Sequence, residues 1–330
     1  MSQHFQQRII KGKVFFPMAV AFAILLWSKN LPWQSGKILF LEDWGGGYLI
    51  PTWIAGTICL LGCFTATYLL ADLNHNYSLM GIRTTFPCSL FLLLWASTTI
   101  FSHSIEGNIL LCCFAIEIFY LFGCYQQPLS IGQTFLLFLT VGIGNIVSKE
   151  HFIYAPLYYL LLVFFQGLSA RSFFAGLVGF ILPYWWIFAF AFWSEEMSVF
   201  SQFNSSLEIF DKRTYTFISP IEWILLGYIA ILFISGSIYL LRNDFQNKLR
   251  TRALLQALLI WICYSSIALF LLPAKYETLL PAIYWGTAII GGHMFSHSSN
   301  KISNWCFILA LLILALIAIL NIWRPQYLFF

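Results

Sequence analysis

The sequence predicts an all-α fold, a polytopic transmembrane helical bundle of about eleven spans with a cytoplasmic N-terminus. Three observations predict it. Hydrophobic residues make up 60% of the 330 residues and charged residues only 9%, where soluble domains carry about 25% charged residues. Mean hydropathy is +0.81. Apolar runs of roughly 17 or more residues recur along the chain, each long enough to cross hydrocarbon as a helix. The runs are continuous rather than alternating, which argues against a membrane barrel.

The expected spans are 14–28, 52–71, 85–102, 108–125, 131–147, 152–169, 172–193, 220–241, 253–272, 279–296 and 304–322. Arg8, Lys11 and Lys13 precede the first run, and Ser28-Lys29-Asn30 after it is no small-residue cleavage site. The first span therefore reads as uncleaved. Spans five and six are separated only by Ser148-Lys149-Glu150-His151, where a re-entrant pair is the alternative. Prolines 156, 183 and 281 lie within or near the start of spans. There they kink or start helices, and freed carbonyls can line a cavity.

Orientation follows from the basic residues. With the N-terminus inside, inner segments hold ten of the 17 Lys and Arg residues. The sharpest group is Arg242, Lys248, Arg250 and Arg252. Basic residues on the inner side are what set topology. Their spread over several loops also separates the net charge of +4 from a nucleic-acid patch. Acids lie mostly outside, at Glu42, Asp43, Glu106, Glu150, Glu195, Glu196, Glu208, Asp211 and Glu277. Residues 1–330 read as one integral membrane domain, with the longest outer loops at about 29–51 and 194–219. The eight cysteines sit in or beside apolar runs without metal-type pairing, as small core residues do.

Few residues can carry chemistry. Glu117 is the acid placed well inside a span, and an ionised carboxylate there costs several kcal/mol unless paired or hydrated. It suits a proton or cation site, a group facing a substrate cavity, or a hydrogen bond to a neighbouring helix. Glu222 in Ser219-Pro220-Ile221-Glu222 reads instead as the far end of a capping box. Glu42 and Asp43, followed by Trp44 and three glycines, can hold a divalent cation or supply a general base. The competing reading is a solvated interfacial turn. No other cofactor is implied.

Lys149, Glu150 and His151 lie between two spans on the outer face, where a lysine can take a phosphate as a point charge. The plain alternative is a polar hairpin tip. His103 with Glu106 forms a third outer group. His293 and His297 share a helix face but lack an evident third ligand. Gly142-Ile143-Gly144-Asn145 and Gly291-Gly292 suit close helix packing. Asn204-Ser205-Ser206 matches a glycosylation sequon without a secretory context to support it.

The stretch from Asn76 to Trp186 resembles an uncharacterised family of multi-spanning bacterial inner-membrane proteins. The residues that carry the likeness are Arg83-Thr84-Thr85-Phe86-Pro87, Gly132-Gln133-Thr134-Phe135, Pro156-Leu157-Tyr158, Arg171 to Gly176 and Gly179 to Pro183. Glu42-Asp43 and Ser148-Lys149-Glu150 also resemble features of the GT-C glycosyltransferases, which use polyprenyl-phosphate sugars at the outer membrane face. That resemblance implies acceptor positioning or general-base work at Glu42 or Asp43, and lipid-phosphate contact at Lys149. The acids sit further past the first span than is usual in that class, and the chain is short for it.

Three functions compete. The first is an enzyme acting on a lipid-linked substrate at the outer face, in which Glu42, Asp43, Glu106 and Lys149 converge on one cavity. The second is a transporter or flippase with Glu117 in a midplane site. The third is a non-catalytic scaffold subunit. The partners expected are membrane lipids, with no nucleic acid.

Overall fold

The computed structural model describes residues 5–12, 14–30, 37–40, 48–82, 84–98, 104–127, 129–194, 219–243, 248–272, 275–298 and 301–322. Glu42, Asp43, His103 and almost all of the 194–219 loop lie outside them. The order is α1 (Phe5–Lys11), α2 (Phe15–Asn30), β1 (Lys37–Phe40), β2 (Tyr48–Pro51), α3 (Thr52–Tyr77), α4 (Phe86–Ala96), α5 (Ile105–Gly123) and α6 (Ile131–Val147). A 3-10 turn (Lys149–Ile153) leads into α7 (Tyr154–Phe164), and α8 (Ala170–Trp193), α9 (Pro220–Arg242), α10 (Leu249–Leu271), α11 (Tyr276–His297) and α12 (Lys301–Ile322) follow.

Among the described residues, six helices, α3, α5, α8, α9, α10 and α12, are long and apolar enough to cross a membrane. Residues Phe15–Lys29, Phe86–Ala96 and Ile131–Val147 form shorter apolar helices. Among the described residues the bundle is helical apart from one antiparallel hairpin, β1 with β2, in which Lys37 faces Pro51 and Phe40 faces Tyr48. That hairpin lies where sequence reading expects only a loop.

Helix α11 is the hub. It packs on α4, α5, α9 and α10, and every residue from Thr278 to His293 is buried. A helix enclosed on all sides by protein need not satisfy lipid. Thr278, Thr287 and His293 are therefore tolerated within it. Helix α8 is the opposite case: it packs mainly on α6 and exposes Phe174, Trp185, Trp186 and Phe190.

Small residues set the close contacts. A Cβ on Gly179 would stand 2.4 Å from the Phe135 carbonyl oxygen, and one on Gly142 would stand 2.7 Å from that of Phe180. The α6–α8 interface thus runs backbone to backbone. Gly292 lets the Pro87 ring approach closely across α11 and α4.

Two ends of the bundle are defined by contacts between distant segments. At one end, Gln6 donates to the Phe295 and Ser298 carbonyls at 2.6 and 2.9 Å, and Arg250 stacks over the Tyr77 ring. At the other, Thr98 donates to Glu222 at 3.0 Å and Asn321 donates to the Ser97 carbonyl at 2.7 Å. Gln6 is the pin that holds α1 against α11 and α12. Gln6→Ala is expected to cost about 1–3 kcal/mol by stranding buried carbonyls, read as a lower melting temperature in detergent.

Two segments fall well short of the expected spans. Helix α4 stops at Ala96, short of the expected 102. The sixth segment, expected over 152–169, is a 3-10 turn plus a helix of 11 residues.

Candidate functional site

The break between α6 and α7 builds the site. Helix α6 ends at Val147, and Ser148 turns to an extended conformation. The following turn is held by polar side chains. Asn145 accepts from the Phe152 amide at 3.0 Å and donates to the Tyr184 hydroxyl on α8. Ser148 donates to Glu150 at 2.5 Å. These partners satisfy backbone and carboxylate groups that would otherwise be orphaned away from water.

The turn does not project outward as a hairpin tip. Lys149, Glu150 and His151 are 7%, 4% and 2% exposed, so the polar-tip reading is corrected. The cause is a partner in another helix. His151 Nε2 lies 2.7 Å from Glu117 Oε1, in the middle of α5. Tyr158 donates to Glu117 Oε2 at 2.5 Å, and Trp261 donates to the Tyr158 oxygen at 3.2 Å. Contacts from both His151 and Tyr158 to its two oxygens offset part of the cost of burying the Glu117 carboxyl. Phe114 and Tyr154 pack against the imidazole at ring separations of 4.7 and 5.4 Å. Tyr154 donates to Ser265 at 3.0 Å, and Ser265 donates to the Trp261 carbonyl at 2.9 Å.

The polar column continues to the bundle end. Lys275 Nζ lies 3.6 Å from Glu150 Oε1, and the lysine side chain is 29% exposed. A Cβ on Gly107 would stand 2.6 Å from the Glu277 carbonyl oxygen. That contact brings the start of α11 against the start of α5, where half-buried Glu106 sits in the first turn. The column runs from Lys275 through Glu150 and His151 to Glu117 and Tyr158. Chemically, a carboxylate on Nε2 fixes the ring orientation. Where Nε2 carries the hydrogen, Nδ1 is left as the proton acceptor.

Other expectations fall elsewhere. Glu42, Asp43 and His103 lie outside the described residues, so their approach to Lys149 is not part of this geometry. Ser219 caps α9 through the Glu222 amide at 3.3 Å, while the Glu222 carboxylate takes the Thr98 hydroxyl. The His293 and His297 rings lie 4.5 Å apart, tilted by 42°. Among the described residues, no group of three or more His, Cys, Asp or Glu side chains suits a metal. All eight cysteines are free; Cys59, Cys63, Cys88, Cys113 and Cys124 are buried, while Cys263 and Cys306 are exposed.

Sequence reading misses Tyr158, Trp261 and Lys275. One signal was present: His151, Tyr154 and Tyr158 are spaced three and four apart, which places them on one face of a turn leading into a helix. Nothing local marks Trp261 or Lys275 as its partners.

Cavities open at several places among the described residues. Two, of about 630 and 710 Å³, lie between α9 and α10. A third, of about 800 Å³, opens at the opposite end from Lys275, beside Asn74, His75 and Thr84. No family model matches the sequence, and neither a curated protein nor a solved structure matches it.

Proposed function

We propose that the chain is a multi-pass membrane enzyme that transfers a group from a lipid-linked donor. In this reading the helices make about eleven crossings, and the N-terminus is cytoplasmic. The end carrying Lys275 and Glu106 then faces outward from a bacterial inner membrane. The observation that carries the reading is the imidazole of His151, held by Glu117 and buried beside Lys149 and Glu150. A polar turn drawn into an apolar bundle is costly, and it ends on a group suited to accept a proton.

The roles follow from the chemistry. An acceptor hydroxyl gives its proton to His151 Nδ1 as its oxygen bonds to the transferred group. The bond from that group to the lipid phosphate breaks, and the phosphate leaves as an anion. Lys149 and Lys275 offset that charge. Glu117 acts as a positioning residue. The resemblance to GT-C glycosyltransferases supports a sugar as the transferred group, with Glu42 or Asp43 on the acceptor side.

The test is release of polyprenyl phosphate from a polyprenyl-phosphate sugar in proteoliposomes. His151→Gln is expected to lower turnover about a hundredfold or more, with KM and melting temperature little changed. Equal turnover in wild type and His151→Gln would remove His151 from the mechanism. No release or binding of any lipid phosphate by the wild type would end the enzyme reading. A proton-coupled transporter is the second reading, supported by the depth of Glu117 in α5. Glu117-dependent proton uptake under a pH gradient, without lipid turnover, would replace the first reading with it.

A further inference from the structure

Trp261 is wholly buried on α10, 103 residues along the chain from Tyr158, and it holds both tyrosines that flank the His151–Glu117 contact. Its indole N–H donates to the Tyr158 oxygen at 3.2 Å. Its carbonyl accepts from Ser265, which itself accepts from Tyr154. Phe114 and Trp285 meet the indole edge to face, with ring centroids at 5.5 and 6.4 Å. These contacts fix the indole in place.

The hydrogen bonds that start at Trp261 run in one direction. An indole nitrogen donates and never accepts. The Tyr158 oxygen therefore receives one hydrogen and has a single hydrogen of its own to give. That hydrogen goes to Glu117 Oε2 at 2.5 Å. A Glu117 hydroxyl donating back to Tyr158 would leave the phenol hydrogen buried without an acceptor, a penalty that the observed order avoids. Oε1 is left for His151 Nε2 at 2.7 Å. Both lengths are those of donors meeting a carboxylate. A carboxylate oxygen at Nε2 calls for a hydrogen there, and a neutral imidazole has only one. Nδ1 is then bare.

We propose that Tyr158, directed by Trp261, is a positioning residue for proton transfer at His151. It rests on the enzyme reading, in which Nδ1 takes the proton of the acceptor hydroxyl. Tyr158 acts through Glu117, since its hydroxyl bonds the carboxylate and not the imidazole. A buried carboxylate needs a donor on each oxygen. Without the Tyr158 hydroxyl, Oε2 has none, and Glu117 meets the deficit by taking up a proton. The protonated carboxyl then donates to Nε2, the imidazole hydrogen sits on Nδ1, and the site loses its proton acceptor.

The experiment is nitrogen NMR of the full chain in lipid bilayers with isotope-labelled histidine, which reads the tautomer directly. His151→Gln identifies the His151 signal among the six histidines. In wild type the His151 hydrogen is expected on Nε2. In Tyr158→Phe it is expected on Nδ1, and turnover of a polyprenyl-phosphate sugar falls about tenfold or more with KM unchanged. Trp261→Phe keeps a ring and removes the indole donor. It is expected to shift the same balance by a smaller amount, and it reports on the chain of bonds if Tyr158→Phe does not fold. A wild-type His151 carrying its hydrogen on Nδ1 would overturn the proposal. So would a Tyr158→Phe protein that keeps the wild-type tautomer, because any loss of turnover would then come from packing. A Trp261→Phe protein with the wild-type tautomer would remove Trp261 from the role. Wild type that turns over no lipid-linked donor would end the enzyme reading, while the tautomers of the unreacted protein would still decide whether Tyr158 sets the state of His151.

Discussion

Glu117→Ala is expected to be the most destabilising single change in this protein, at about 3–5 kcal/mol. The carboxylate touches His151 on one oxygen and Tyr158 on the other. Both partners are buried, and Trp261 is tied in behind Tyr158. Removing Glu117 strands a buried imidazole and a buried phenol hydroxyl. It also frees the Lys149–Ile153 turn from its anchor on α5. Glu117→Gln keeps the shape and still accepts from Tyr158, so it is expected to cost only about 1–2 kcal/mol. Denaturant titration of the detergent-solubilised protein separates the two cases. Equal losses for Ala and Gln would mean that packing, not pairing, is what Glu117 supplies. A double-mutant cycle of Glu117→Ala with His151→Ala should recover a coupling of about 1–3 kcal/mol.

How much of this was legible in the sequence depends on the range of the interaction. Helices α6 and α9 follow their expected spans almost to the residue, because hydropathy and local signals define them. Ser219 and Pro220, for example, mark the start of α9 within four residues of chain. Helices α4 and α7 are shorter than expected because hydropathy continues past the point where backbone geometry turns. After Ala96 the Ser97 amide bonds both Leu93 and Leu94 carbonyls, the tightened end of a helix. Glu222 shows the limit of a local rule. Ser219 caps as the pattern says, but the carboxylate answers to Thr98, which lies 124 residues away. Glu117 stands out in sequence as an acid in an apolar run. Its partners lie 34 and 41 residues further on, and only the packing of α5 against α6 and α7 brings them within reach. The same contact moves Lys149-Glu150-His151 from an expected surface loop into the core.

Gly144→Val is expected to break the His151–Glu117 contact without altering either residue. A Cβ at Gly144 would stand 2.5 Å from His151 Cδ2 and 2.7 Å from its Nε2. The ring cannot yield sideways, because Phe114 and Tyr154 hold it. Either the imidazole rotates away from Glu117, or α6 lifts from the turn that its own Asn145 secures. The first outcome leaves a buried carboxylate short of a partner, and the second opens the contact between α6 and the turn. The stability cost is about 1–3 kcal/mol for overpacking, and more where Glu117 is stranded. Turnover of a lipid-linked donor should fall as far as in His151→Gln, about a hundredfold, since both changes remove the same oriented nitrogen. Gly132→Val lies on the same helix at an open position and should leave both quantities unchanged. If Gly144→Val lowered stability while turnover stayed intact, the Glu117–His151 pair would be a structural lock on the α6–α7 break. The proton acceptor would then have to be sought among the carboxylates at the end of the bundle.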